Sequence, residues 1–125
     1  MVRPAAFAAN PETAATNVFQ KLERFDRRVA CRAIVEFDAL ASALQLAGLE
    51  VFIGHDLPEP AKPDACFPNN WVSFHEDGSV VLYPMLAPSR RVERRLDLLE
   101  ELSRTGGFCV RRIVDLTHWE QRGSF

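Results

Sequence analysis

Leu40-Ala41-Ser42-Ala43-Leu44-Gln45-Leu46-Ala47-Gly48-Leu49-Glu50-Val51-Phe52-Ile53-Gly54-His55-Asp56-Leu57 is the end of a helix, a glycine stop, a strand and an Asp-Leu exit. Upstream, Val29, Ala33, Phe37, Leu40 and Leu44 fall at helical spacing along one face, which predicts a helix over about 25–47. Gly48 then stands where a left-handed C′ residue ends such a helix. Val51, Phe52 and Ile53 form a near-buried run inside a strand expected over 49–55. The pattern returns: Leu98, Leu102 and Gly106 echo Leu40, Leu44 and Gly48 at an offset of 58, and Val110, Asp115 and Leu116 echo Val51, Asp56 and Leu57 at 59. A period of this length is the signature of a repeat or propeller architecture, although two short matches also arise by chance between any two helix–strand units. Such folds usually need about three repeats, so two imply an incomplete chain or an oligomer that covers its open sheet edges.

The stretch Pro63-Asp64-Ala65-Cys66-Phe67-Pro68-Asn69-Asn70-Trp71 separates the two units. Its prolines bar helix and regular ladder. A rigid loop with a carboxylate and two carboxamides at a strand end suits a binding site, and equally a tight connection whose Asn side chains satisfy their own backbone. Before it, Met1–Phe7 reads as a short strand. Asn10-Pro11-Glu12-Thr13-Ala14-Ala15-Thr16-Asn17-Val18-Phe19-Gln20 reads as a structured loop able to act as a lid, or as a helix entry capped by Thr16 or Asn17. After it, strands over 71–75 and 79–83 flank the hairpin turn Glu76-Asp77-Gly78. Ser89 is the candidate N-cap of a second helix over about 90–105, with Val92, Leu96, Leu99 and Leu102 as its buried stripe. Gly106-Gly107 stops it, and a last strand spans about 109–116.

The 125 residues suit one domain or a piece of one, and the composition is ordinary for a globular protein. A net charge of -2 argues against nucleic acid as the main partner. No apolar run approaches a membrane span, and the N-terminus lacks a signal peptide's long apolar core. Cys31, Cys66 and Cys109 are odd in number, widely spaced and without metal-ligand spacing, which points to free thiols in a reducing, cytoplasmic setting.

Several motifs together resemble one known family: Asn10-Pro11-Glu12-Thr13-Ala14, Asn17-Val18-Phe19-Gln20, Pro63-Asp64…Phe67-Pro68-Asn69-Asn70-Trp71, Leu82-Tyr83-Pro84-Met85 and Ala87-Pro88-Ser89-Arg90-Arg91. The chain is similar over nearly its whole length to the arginine-deiminase-related, guanidino-group-modifying (amidinotransferase) enzymes. The closest likeness is to the citrulline-utilisation hydrolase type, and a more distant one is to dimethylarginine dimethylaminohydrolases. The resemblance implies an α/β fold, the pentein propeller of about five ββαβ-type repeats. This chain would hold about two of them, repeat 1 over about 1–60 and repeat 2 over about 61–125. It also implies a Cys thiolate that attacks the guanidino or ureido carbon, a His that moves the proton, and no metal or organic cofactor. Asp64 would hold the guanidino or ureido nitrogen. Arg91, with Arg90 beside it, would hold the amino-acid carboxylate, for which planar arginine is suited. Asn69 and Asn70 would line the site, and Asn10, Glu12 and Thr13 would form the lid.

Two departures stand out. The dimethylarginine-type relatives carry an acidic pair where this chain has Asn69 and Asn70. An amide both donates and accepts, which fits a neutral ureido group better than a guanidinium. The family's Cys and His, and the acidic segment expected after Trp119-Glu120-Gln121-Arg122-Gly123-Ser124-Phe125, lie beyond these residues. The resemblance therefore implies the N-terminal part of a hydrolase, inactive alone, that partners the remainder of its fold or a second copy. A different class also fits: a non-catalytic α/β module that binds a small molecule or a protein and oligomerises through open sheet edges. Amidino transfer in place of hydrolysis is a third reading. Elsewhere the bland readings lead. Cys66 is a small core thiol before it is a nucleophile paired with His75. His55 is solvated. His118 has no metal partner at a readable spacing. Arg94 and Arg95 belong to a solvated helix face balanced by Glu93, Asp97, Glu100 and Glu101.

Overall fold

The computed structural model describes residues 1–14, 17 and 27–122. The Thr16 cap, Val18-Phe19-Gln20, the entry of the first long helix and the last three residues lie outside the described residues. Contacts gather the chain into two units, Met1–Cys66 and Phe67–Phe125.

In the first unit, β1 (Val2–Arg3) pairs in parallel with β2 (Gly54–His55). The pairing is extended by bonds from Gly54 N–H to Met1 O and from Asp56 N–H to Arg3 O. The terminal ammonium donates to Phe52 O at 2.7 Å, and its burial pulls its pKa down. α1 is the short turn Pro11–Ala14 and α2 is the long helix Arg27–Leu46. Gly48 has φ +85° and closes α2 with a Schellman pair, Leu49 N–H to Leu44 O and Gly48 N–H to Gln45 O, as the glycine position foretold. The covered face of α2 is rotated from the expected one. Ala41 is its buried residue, and Ala30, Ala33, Ile34, Phe37 and Leu44 are half-buried, while Val29 and Leu40 are exposed. The expected strand over 49–55 is ladder only at its last two residues. Val51, Phe52 and Ile53 are half-buried, because the two-residue partner β1 is too short to pair them.

In the second unit the sheet order is β3-β4-β5. β3 (Val72–Phe74) and β4 (Ser79–Leu82) form the expected hairpin, and β5 (Arg112–Asp115) lies parallel to β4. Trp71, Val72, Val80, Leu82, Met85 and Leu99 make the core, flanked by Phe108 and Val110. The expected second helix is broken into α3 (Pro88–Arg91) and α4 (Leu96–Thr105). Ala87, not Ser89, is the N-cap of α3, without a side-chain bond. At the break Glu93 N–H bonds Arg90 O in a tighter i→i+3 turn, the Glu93 carboxylate is buried against the Arg90 guanidinium, and Val92 is exposed. Leu98 joins Leu99 on the covered face of α4, while Leu96 is exposed. Cys109 is exposed and lies before β5, not in a strand core.

Gly78 has φ +82°, and a Cβ there would meet Cys109 O and Arg111 Cγ at 2.8 Å. The left-handed region alone costs an L residue about 1–2 kcal/mol. Gly78→Ala should therefore lower the urea midpoint by at least that equivalent, and the same change at Gly48, where no atom lies within 4 Å, by less. Asp77 is held below the usual carboxylate range by the Ser79 N–H, Asp115 by Thr117, and Asp97 by Arg95. Their folded pKa values are depressed, so this stabilisation is complete above about pH 4 and is lost as pH falls through the folded values. An acid titration of stability should show that loss, and Asp77→Asn should make it shallower.

Candidate functional site

Asp64 is buried, 8% exposed, inside a turn closed by Ala65 N–H to Lys62 O. A carboxylate removed from water needs partners. Asn10, 2% exposed, donates from Nδ2 to Asp64 Oδ2 at 2.8 Å, and Thr13 Oγ1 lies 3.5 Å from the same oxygen. Asn10 sits at the start of α1, where its Oδ1 accepts from Glu12 N–H at 3.1 Å. Two residue groups named separately in the sequence, the Asn10–Thr13 loop and Asp64, are thus brought together by side-chain bonds. Glu12 is exposed on α1.

The turn carrying Asp64 has an anchor, Lys62, with no local sequence signal. Lys62 is 1% exposed, and its Nζ donates to Pro60 O at 2.7 Å and Leu57 O at 2.9 Å and pairs with Asp56 at 3.2 Å. A lysine between prolines reads as solvated. Only the fold of the 56–63 connection, which aims carbonyl oxygens inward, makes its burial tolerable.

In the second unit Asn69 and Asn70 lie on the exposed turn Pro68–Asn70. The Asn70 carboxamide, with its carbonyl toward the guanidinium, accepts from Arg90 Nη1 and Nη2 at 3.0 and 3.1 Å. The other side of Arg90 is gripped by Glu93, with Nη2 to Oε2 at 2.9 Å and the Glu93 side chain fully covered. Arg91, 37% exposed, donates from Nε to Met85 O at 3.0 Å and pairs with Glu120 at 3.3 Å. Glu120 also accepts from Met85 N–H at 2.8 Å and pairs with Arg94. Burial pulls the Arg94 pKa down, with Asp115 opposing the shift. Arg94 donates to Tyr83 O and its side chain is largely covered, so it is no part of a solvated face, and neither is Glu93. Arg95 pairs with Asp97. The signal available for Glu93 was its spacing of three residues from Arg90; for Glu120 no local signal exists.

His75 is exposed and shares a bond at 3.0 Å with Ser73 Oγ, which also meets Tyr83 OH. Cys66 is half-buried. His55 is exposed, as expected, and His118 lies against Trp119. A cleft of about 400 Å³ between α4 and β5, lined by Leu96, Leu99, Val110 and Ile113, and one of about 390 Å³ beside His75, Asp77 and Arg112 contain none of Asn69, Asn70, Arg90 and Arg91. Among the described residues no cluster of His, Cys, Asp and Glu is placed to hold a metal ion, and no helix is long and apolar enough to cross a membrane.

A family model described as N,N dimethylarginine dimethylhydrolase, eukaryotic, matches residues 3–125. The chain belongs to this family, and so to the guanidino-group-modifying hydrolases, whose substrates are small guanidino amino acids. No curated protein and no solved structure matches it.

Glu120 is covered and serves one backbone N–H and two guanidinium groups. Glu120→Ala should cost about 2–4 kcal/mol by denaturant titration, below the ~3–5 kcal/mol of a fully buried pair because Arg91 is partly exposed. Glu120→Gln should cost less, since its Oε1 still accepts from Met85 N–H.

Proposed function

We propose that the chain is the N-terminal part of a hydrolase acting on a C–N bond of a ureido or guanidino amino acid, with citrulline as the preferred class. The observation that carries the hydrolase part of this reading is the match over residues 3–125 to a dimethylarginine dimethylhydrolase family, which spans every motif named above. In the proposal the chain contributes two helix–strand repeats of a pentein propeller. A Cys thiolate attacks the central carbon and a His moves the proton, both supplied by residues outside this stretch. Asp64 accepts from the substrate's guanidino or ureido N–H groups. Arg91 and Arg90 serve the substrate carboxylate, and the bond from Asn70 ties Arg90 to the motif loop. The Asn10–Thr13 turn covers the substrate.

The preference for a neutral substrate is supported by Asn69 and Asn70. Asn70 presents its carbonyl to Arg90, so its amide N–H groups are donors, the partners a ureido oxygen needs. A carboxylate pair in their place rewards a cationic guanidinium instead.

The intact mass of the polypeptide from its source cell, measured beside ammonia release from citrulline and arginine, tests the reading. Turnover of citrulline by a polypeptide well above 14.1 kDa is the expected result. Turnover at 14.1 kDa would overturn the assignment of the nucleophile. In the complete enzyme Asn69→Glu/Asn70→Asp should move kcat/KM from citrulline toward guanidinium substrates by about tenfold or more, the scale of one charge pairing. An unchanged citrulline preference would remove the ureido argument.

A further inference from the structure

The bond between Asn10 and Asp64 joins residues 54 apart in the chain, and both are buried. Asn10 is constrained at both ends of its carboxamide. Oδ1 faces Glu12 N–H, a donor, and Nδ2 faces Asp64 Oδ2, an acceptor. Turning the amide over would set oxygen against carboxylate and NH₂ against N–H, so its orientation is fixed by its neighbours. Asp64 Oδ2 is then held at 2.8 Å by a group that cannot rotate away, with Thr13 Oγ1 beside it. Thr13 Oγ1 also bonds Asn10 O at 3.2 Å, which closes the arrangement within the first turn of α1.

We propose that Asn10 is a positioning residue for Asp64: it fixes the carboxylate plane from which substrate N–H groups are received, and ties formation of α1 to occupancy of that carboxylate. The inference rests on the reading of Asp64 as a substrate group. α1 has four residues, too few to persist on its own propensity, so its shape depends on its cap and on Asp64. Fixing an acceptor in advance spares the substrate the cost of ordering it. The linkage is reciprocal: a ligand that fixes Asp64 also fixes Asn10 and the Glu12 N–H bonded to it.

The test separates capping from positioning. Ser and Asp cap helices about as well as Asn. Asn10→Ser loses the amide donor to Asp64, and Asn10→Asp sets carboxylate against carboxylate. Binding of citrulline and of N,N-dimethylarginine to the full chain is measured by calorimetry. Unfolding midpoints and hydrogen exchange at Glu12 are measured alongside. Both variants should lower the midpoint, Asn10→Asp more, because each leaves the buried Asp64 carboxylate short of a donor. At a temperature where each stays folded, both should bind about tenfold more weakly, and ligand should slow Glu12 exchange about fivefold in the wild type but not in Asn10→Ser. Wild-type affinity in both variants, or affinity lost only in step with stability, overturns the positioning role and leaves Asn10 a cap. If Asp64→Asn binds like the wild type, or the wild type binds neither ligand, the substrate reading of Asp64 falls and the inference falls with it.

Discussion

A carboxylate taken out of water must be met by donors, and in the first unit that requirement falls on Asp64. Its answer comes from Asn10, so the N-terminal segment after β1 has to return to the turn at 62–65. The parallel pairing of Val2–Arg3 with Gly54–His55 brings the two segments near each other, and the buried bond sets their register. β1 alone offers two residues of ladder, too little to fix a fold. Lys62 works in the same sense from the other side, drawing Leu57 O, Pro60 O and Asp56 around one ammonium so that the irregular 56–63 connection holds its shape. The polar groups that make this unit a candidate site are therefore the ones that order it.

The sequence was most legible where one residue type has one conformational use. Gly48 and Gly78 marked a helix stop and a hairpin turn, and both adopt positive φ. The hairpin strands could be read from periodicity and turn chemistry. Legibility failed where a side chain acts over distance. The helical stripe from Val92 to Leu102 looked continuous, but the chain leaves helix between Arg91 and Leu96, where Glu93 is buried against Arg90. The three-residue spacing of Arg90 and Glu93 fits an ion pair, but the apolar pattern does not record that the pair is buried. Lys62 and Glu120 were opaque for a related reason. Their value lies in carbonyl oxygens and guanidinium groups that only the folded backbone assembles.

The same limit applies to the candidate site. The motif resemblance pointed to Asp64, Asn69, Asn70, Arg90 and Arg91 by position, while the structure adds what each is bound to. Asn10 appeared in the sequence as part of a loop, and its bond to Asp64 could not be inferred across 54 positions. Arg90 and Arg91 are neighbours in the chain with different partners. One is shared between Glu93 and Asn70, the other between Glu120 and the Met85 carbonyl.

That difference bears on how an arginine pair can serve one anionic group. A guanidinium already facing a carboxylate has part of its charge compensated, and a substrate carboxylate gains least from the arginine with the most covered partner. Glu93 is fully covered, so Arg90 keeps that pairing, and its remaining face is defined by Asn70. Glu120 divides its charge among Arg91, Arg94 and the Met85 N–H, which leaves the Arg91–Arg94–Glu120 group with one positive charge in excess. An excess cation with a 37% exposed member is a better electrostatic match to an incoming anion than Arg90, whose Nε, Nη1 and Nη2 are already taken up by Glu93 and Asn70. The adjacent arginines thus differ in how fully their charge is compensated, because each has its own acidic partner.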